Sequence, residues 1–152
     1  IAIIPRTAGS AGPHLGAQGG KDSKLRLINL DNLANAAPPP ASGRLGGEVG
    51  AIVSVPQGGG VFSQPAVWIN PIDDKRWVFV ATGGGVSGFT LELDGVGHPS
   101  LVSRWTIPHG GTSPIVAGNL LSSAVGSAVR AVPHMPVDFL WTSRPGSVGT
   151  IH

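Results

Sequence analysis

The chain has 152 residues, 41% hydrophobic and 12% charged, with 24 glycines, 14 prolines, no cysteine and a formal charge of +2. That apolar content excludes a disordered polar tail, and so small a net charge excludes a basic nucleic-acid-binding patch. The lack of cysteine removes disulfide frameworks and thiolate metal sites, and no run reaches the roughly 18 to 20 apolar residues of a membrane-spanning helix.

The opening IAIIP is strand-like from Ile1 and carries no initiator methionine, so the native start is expected upstream. KLRLINL reads as the next strand. NLANAA, from Asn32 to Ala37, has helical composition but is too short for three turns and runs into PPPASG, an expected extended surface loop. EVGAIVSV and PAVWI follow as strands, and NPIDDKR, with Asp73 and Asp74, as a hairpin turn. RWVFVAT, Arg76 to Thr82, is apolar on both faces and belongs in a sheet covered on both sides. In GFTLELD, Phe89, Leu91 and Leu93 alternate with Thr90, Glu92 and Asp94, the pattern of a half-buried strand. LVSRWTI, SPIVAG, LLSSAV, SAVRAV and DFLWTS complete an all-β reading with no convincing helix.

Two stretches repeat one phrase. GGGVFSQPAVWIN and HGGTSPIVAGNLL each place glycines, then a small polar segment, then Pro65 or Pro114, before an apolar strand. Each continues through two more strands to a tryptophan strand, SRWTI with Trp105 and FLWTS with Trp141. The two prolines lie roughly 50 residues apart, near the period of about 40 to 50 residues that marks propeller blades of four short strands. Proline can open a strand where no ladder donor is needed, and the glycines let the backbone turn between units. Pro5 is expected to mark an earlier header, the NLANAAPPPASGRLGG insertion taking up the longer interval.

GGTSPIVAGNLL, GSAVRAV and FLWTSRPGSVGTIH, taken in order, resemble the blades of quinoprotein-like (PQQ-like) β-propellers. The resemblance covers most of 58–152 and, more loosely, 21–55. It implies a partial propeller of about three four-stranded antiparallel blades, over approximately 1–57, 58–108 and 109–152, in a secreted or periplasmic protein. It also implies that Asp94 and Gly95 of LDGVGHPSLVSRW dock Trp105 between blades; the last unit has PHMPVD at that place instead. Family enzymes bind PQQ and calcium, and many alcohol dehydrogenases among them carry an adjacent cysteine pair, which this chain lacks.

No cofactor is expected for the segment itself, because its acids form no credible pair. Asp73, Asp74 and Asp94 read as turn residues, Glu92 as the polar face of a strand, and Asp22, Asp31 and Glu48 as loop or strand-edge acids. His14, His98, His109, His134 and His152 have no chelating spacing, and Ser113 lacks the G-x-S-x-G setting of a hydrolase. The glycine-rich stretches read as turns, since no helix follows them to hold a phosphate. The four tryptophans read as packing between blades. Ligand contact is expected at the blade entrances, from Gln64, Thr112 and His152.

Two functions remain open: a non-catalytic binding or scaffolding module, and a fragment of a PQQ-dependent alcohol or sugar dehydrogenase. The expected partners are the remaining blades of a longer chain or further copies of this one, with a small-molecule ligand and no nucleic acid.

Overall fold

The computed structural model describes residues 1–6, 12–33, 47–108, 110–117, 120–125, 128–133 and 141–142. Among them twelve strands and no helix occur. They are β1 (Ala2–Ile4), β2 (Leu15–Gly19), β3 (Lys24–Asn29), β4 (Glu48–Ser54), β5 (Ala66–Ile69), β6 (Arg76–Thr82), β7 (Gly85–Leu93), β8 (Pro99–Ile107), β9 (Thr112–Ala117), β10 (Leu120–Val125), β11 (Ala128–Pro133) and β12 (Trp141–Thr142). In chain order they form three four-stranded sheets, each an antiparallel meander. Trp105 and Trp141 both fall on fourth strands.

The three sheets form an open stack with the second in the middle. β6 explains why. Its valines Val78 and Val80 join a core built with Ile4, Leu15, Ala17, Leu25 and Leu27 of the first sheet. Its alternate residues Trp77, Phe79 and Ala81 join a second core with Leu121 and Val116 of the third. A strand apolar on both faces is thus buried on both faces, and Val78, Phe79 and Val80 are fully inaccessible. Three of the tryptophans serve this packing. Trp77 and Trp105 lie on either side of Phe79, each with ring centroids 5.9 Å from it, and Trp68 packs against the same core.

Glycines mark the places where backbones nearly touch. Gly50 in β4 has φ +67° and faces the Pro99 carbonyl of β8, so any Cβ there would collide with the neighbouring sheet. At Gly88 the missing side chain leaves room for the Trp105 indole, its register partner across β7 and β8.

Most polar side chains inside the stack are paired, the Trp77 Nε1 donor being the exception among the described residues. The Ser87 hydroxyl is fully buried; it bonds Gln57 Oε1 and lies 2.8 Å from Thr106 Oγ1. Gln57 Nε2 in turn donates to the carbonyls of Val80 and Gly85, tying the connection after β4 to the middle sheet.

Three expectations need correction. β7 is not half-buried along its length: Gly85 to Thr90 are buried on both faces because both neighbouring sheets cover them, and Leu93, on the expected core side, is 63% exposed. Pro5 is not a header, since it follows β1, where its carbonyl accepts a hydrogen bond from Arg76 Nε at 2.7 Å. β2 has no counterpart in the sequence reading, for LGAQG has two glycines and too few apolar residues to show a period. The PPPASG loop and His109, His134 and His152 lie outside the described residues.

Candidate functional site

The first strand of each sheet is an edge strand, and the three first strands run side by side, β5 packing against β1 on one flank and β9 on the other. Between them is a cleft of about 470 Å³, lined by Ala2 and Ile3, by Gln64 to Val67, and by Ser113 to Ile115. The two prolines of the repeated phrase therefore reach the same cleft, and both are buried. Ala2 and Ile3, rather than Pro5, stand in the corresponding place on the first sheet.

Local geometry explains what each residue presents. Pro65 ends the connection before β5. Pro114 lies inside β9 at a bulge, where the pairing with β10 slips between Ser122 and Ala124 and no ladder donor is required of it. Ser113 beside it takes a left-handed φ of 49°, which turns the strand at the rim. Alternation along β1 and β9 then buries Ala2, Ile4 and Pro114 and leaves Ile3 and Ile115 more than 60% exposed. The lining side chains are thus mostly apolar, Gln64 and Ser113 being the polar ones, while polar atoms supply about half of the lining surface.

Of the residues expected to meet a ligand, Gln64 lines this cleft and is exposed. Thr112 is exposed at the start of β9, one residue before the lining begins. His152 lies outside the described residues.

The cleft does not fit calcium with PQQ. Calcium takes about six to eight oxygen ligands, carboxylates prominent among them. Here the lining side chains offer one amide oxygen and one hydroxyl and no acid. No three His, Asp or Glu side chains cluster closely enough for a metal among the described residues.

The acids instead hold turns and edges. Asp94 Oδ1 accepts the main-chain N–H groups of Val96 and His98, and Oδ2 lies 3.0 Å from His98 Nδ1. These bonds, the His98 amide foremost, hold the Asp94 carboxyl below its ordinary range. They close the turn before β8, while Trp105 is seated by Gly88 and Phe79. Asp31 is held low in the same way by the His14 amide and imidazole. Asp22 grips Arg26 with two hydrogen bonds, of 2.5 and 3.2 Å, which lower the Asp22 carboxyl and raise the Arg26 guanidinium. Glu92 is lowered first by the Thr90 hydroxyl and then by Arg104.

Two pairings were missed by sequence reasoning. His14 and Asp31 lie 17 residues apart and meet only because β2 and β3 pair. Arg26 approaches Glu48 at 3.8 Å only across β3 and β4. The Asp22–Arg26 pair could have been found, since Asp22 lies in the short turn before β3 and Arg26 stands four residues on, within that strand.

No protein-family profile, curated protein or solved structure matches the chain.

Proposed function

We propose that the chain is a three-blade segment of a secreted or periplasmic quinoprotein-like β-propeller, acting as a non-catalytic binding or scaffolding module. The observation that carries this reading is the meeting of the three first strands on one cleft. In a propeller the first strand of each blade lines the central channel, so on this reading the cleft is one sector of that channel. Its chemistry favours binding over catalysis: mostly apolar side chains with one amide and one hydroxyl can orient a small uncharged ligand but supply no acid or base. Gln64 is the principal contact, with Thr112 at the rim and His152 completing the set expected at the blade entrances.

The partners on this reading are the missing blades of a longer chain or further copies. On the first sheet, the row Ile3, Gly16, Ile28 and Glu48 and the neighbouring Gln18 and Arg26 alternate with the core residues. That outward face mixes apolar and charged groups, and a neighbouring blade would cover the part that Ile3 and Gln18 leave exposed.

Titration with PQQ and calcium, read by tryptophan fluorescence and by dye-linked alcohol oxidation, tests the functional half. The expected result is no saturable quenching and no turnover. Saturable quenching abolished by a chelator would replace this reading with the quinone-dependent dehydrogenase. A fragment screen by amide NMR tests the site: shifts should gather on Ile3, Gln64, Ala66 and Ile115 and vanish in Ile115→Arg, whose 63% exposure makes it tolerable to the fold.

A further inference from the structure

The walls of the first-strand cleft are edge strands, so main-chain groups reach it as well as side chains. Register shows which ones. The Asn70 N–H donates to the Lys75 carbonyl, and stepping by two along the strand makes Trp68 and Ala66 the residues that bond β6. Pro65 and Val67 therefore turn their main-chain groups to the free edge. In β1 the residue so placed is Ile3. The Leu30 N–H bond to the His14 carbonyl makes Gly16 and Gln18 the residues of β2 that bond β3, which leaves Leu15 and Ala17 to bond Ile4 and Ala2. On β9, Ser113 and Pro114 have no register partner, because the pairing with β10 slips there.

Proline changes the chemistry of such an edge. An ordinary residue offers it one N–H and one carbonyl, whereas proline offers the carbonyl alone. Pro65 and Pro114 both stand at free-edge positions and both line the cleft, so the repeated phrase removes a donor from two of its three walls. Carbonyl acceptors therefore outnumber N–H donors on the free edges that line it. Of the lining side chains none is charged.

We propose that this cleft takes a small aliphatic primary carboxamide, an inference that rests on the binding reading above and names the ligand class for the same cleft. The ligand NH₂ donates to the carbonyls of Pro65 and Pro114, its own carbonyl accepts from Gln64 Nε2, and its aliphatic group lies on Ile3 and Ile115. A primary amide carries two donor hydrogens against one carbonyl and no charge, which complements a lining rich in acceptors. Carboxylates and esters bring acceptors only. An ammonium brings donors, but also a charge that no lining acid neutralises. Ile3 and Ile115, 68% and 63% exposed, supply the aliphatic surface to be covered. The volume of about 470 Å³ lies within the roughly 300 to 1,000 Å³ of small-molecule sites.

Isobutyramide is the probe, followed by the amide shifts of Ile3, Gln64 and Ile115. N,N-dimethylisobutyramide keeps the carbonyl and the aliphatic group but has no N–H, and isobutyrate replaces the donors by a charge. A net hydrogen bond is worth roughly two- to tenfold in affinity. Loss of both donors should therefore weaken the dimethyl amide, and isobutyrate likewise, by about tenfold or more. Gln64→Glu keeps the size and an acceptor but loses the donor. Gln64 is exposed, so the urea midpoint should stay near that of the parent while isobutyramide affinity falls by about threefold or more. Equal affinity for isobutyramide and its dimethyl derivative would overturn the ligand class and leave the binding reading standing, as would unchanged isobutyramide binding in folded Gln64→Glu. Absence of saturable shifts at these residues from isobutyramide and from the whole fragment screen would overturn both.

Discussion

Replacing Gly88 by alanine isolates the packing between the middle and third sheets. Gly88 is buried in β7, paired with Phe79 on one side and Trp105 on the other. A Cβ there would stand 2.5 to 2.7 Å from three atoms of the Trp105 indole. Ordinary contact needs roughly 3.5 Å, so the ring must withdraw by about 1 Å and with it the contact to Phe79. Overfilling a packed core costs about 1 to 3 kcal/mol, and an aromatic pair contributes about 0.5 to 1.5 kcal/mol. Against this stands a gain of about 0.5 to 1 kcal/mol from the lower backbone freedom of alanine. The balance is a destabilisation of about 1 to 3 kcal/mol, measured by urea denaturation. In a Trp105→Ala background the clash is gone and only the entropic gain remains, so Gly88→Ala should there be neutral or stabilising. The same loss in both backgrounds would show that Gly88 is not the seat of Trp105 and would refute the reasoning.

Trp77→Phe should lie within about 1 kcal/mol of the parent in urea, because the Nε1 donor is buried without a partner and its removal relieves about 1 to 3 kcal/mol while indole packing is lost. Trp77→Ala, which also empties the site, should cost about 3 to 5 kcal/mol. Gly50→Ala should destabilise by more than about 1 kcal/mol, since alanine at φ +67° is strained and its Cβ meets the Pro99 carbonyl. Asp22, Asp31, Glu92 and Asp94 all have carboxyls lowered in the folded chain. Their contribution is therefore complete above the unfolded values of 3.8 for aspartate and 4.5 for glutamate, and disappears as pH falls through the lower folded values. The urea midpoint should drop below about pH 4.5, and Asp94→Asn, which cannot titrate, should flatten that fall.

The sheet-forming pattern was legible because it rests on nearest-neighbour periodicity. β6 shows it best: seven residues apolar on both faces require two covering sheets, and two cover it. β7 misled because its letters alternate from Phe89 onward while its exposure begins only after Thr90, and Val86, Ser87 and Thr90 are buried by contacts that no local pattern encodes. Ser87 and Thr90 look solvent-facing as letters, yet each hydroxyl has a hydrogen-bond partner from another strand or connection. The repeated phrase brought Pro65 and Pro114 to one cleft, but Pro5 was read into the pattern from spacing alone, with an insertion allowed for the longer interval. A cleft between the first and middle sheets was invisible, for Arg6 follows β1 and Arg76 opens β6, and both come to it only when the two sheets stack.

The central claim is that the three first strands converge on one cleft as the inner strands of blades do, and spin-label distances read it directly. The chain has no cysteine, so labels can be placed at will. Packed sheets lie about 10 Å apart, so Ile3→Cys and Ile115→Cys, on first strands either side of the middle sheet, should give one narrow distance of about 20 Å or less. Labels at Ala51 and Thr142, on the corresponding fourth strands, should give a distinctly longer one. Equal distances at the two ends would describe a flat-layered stack, and would contradict the blade arrangement.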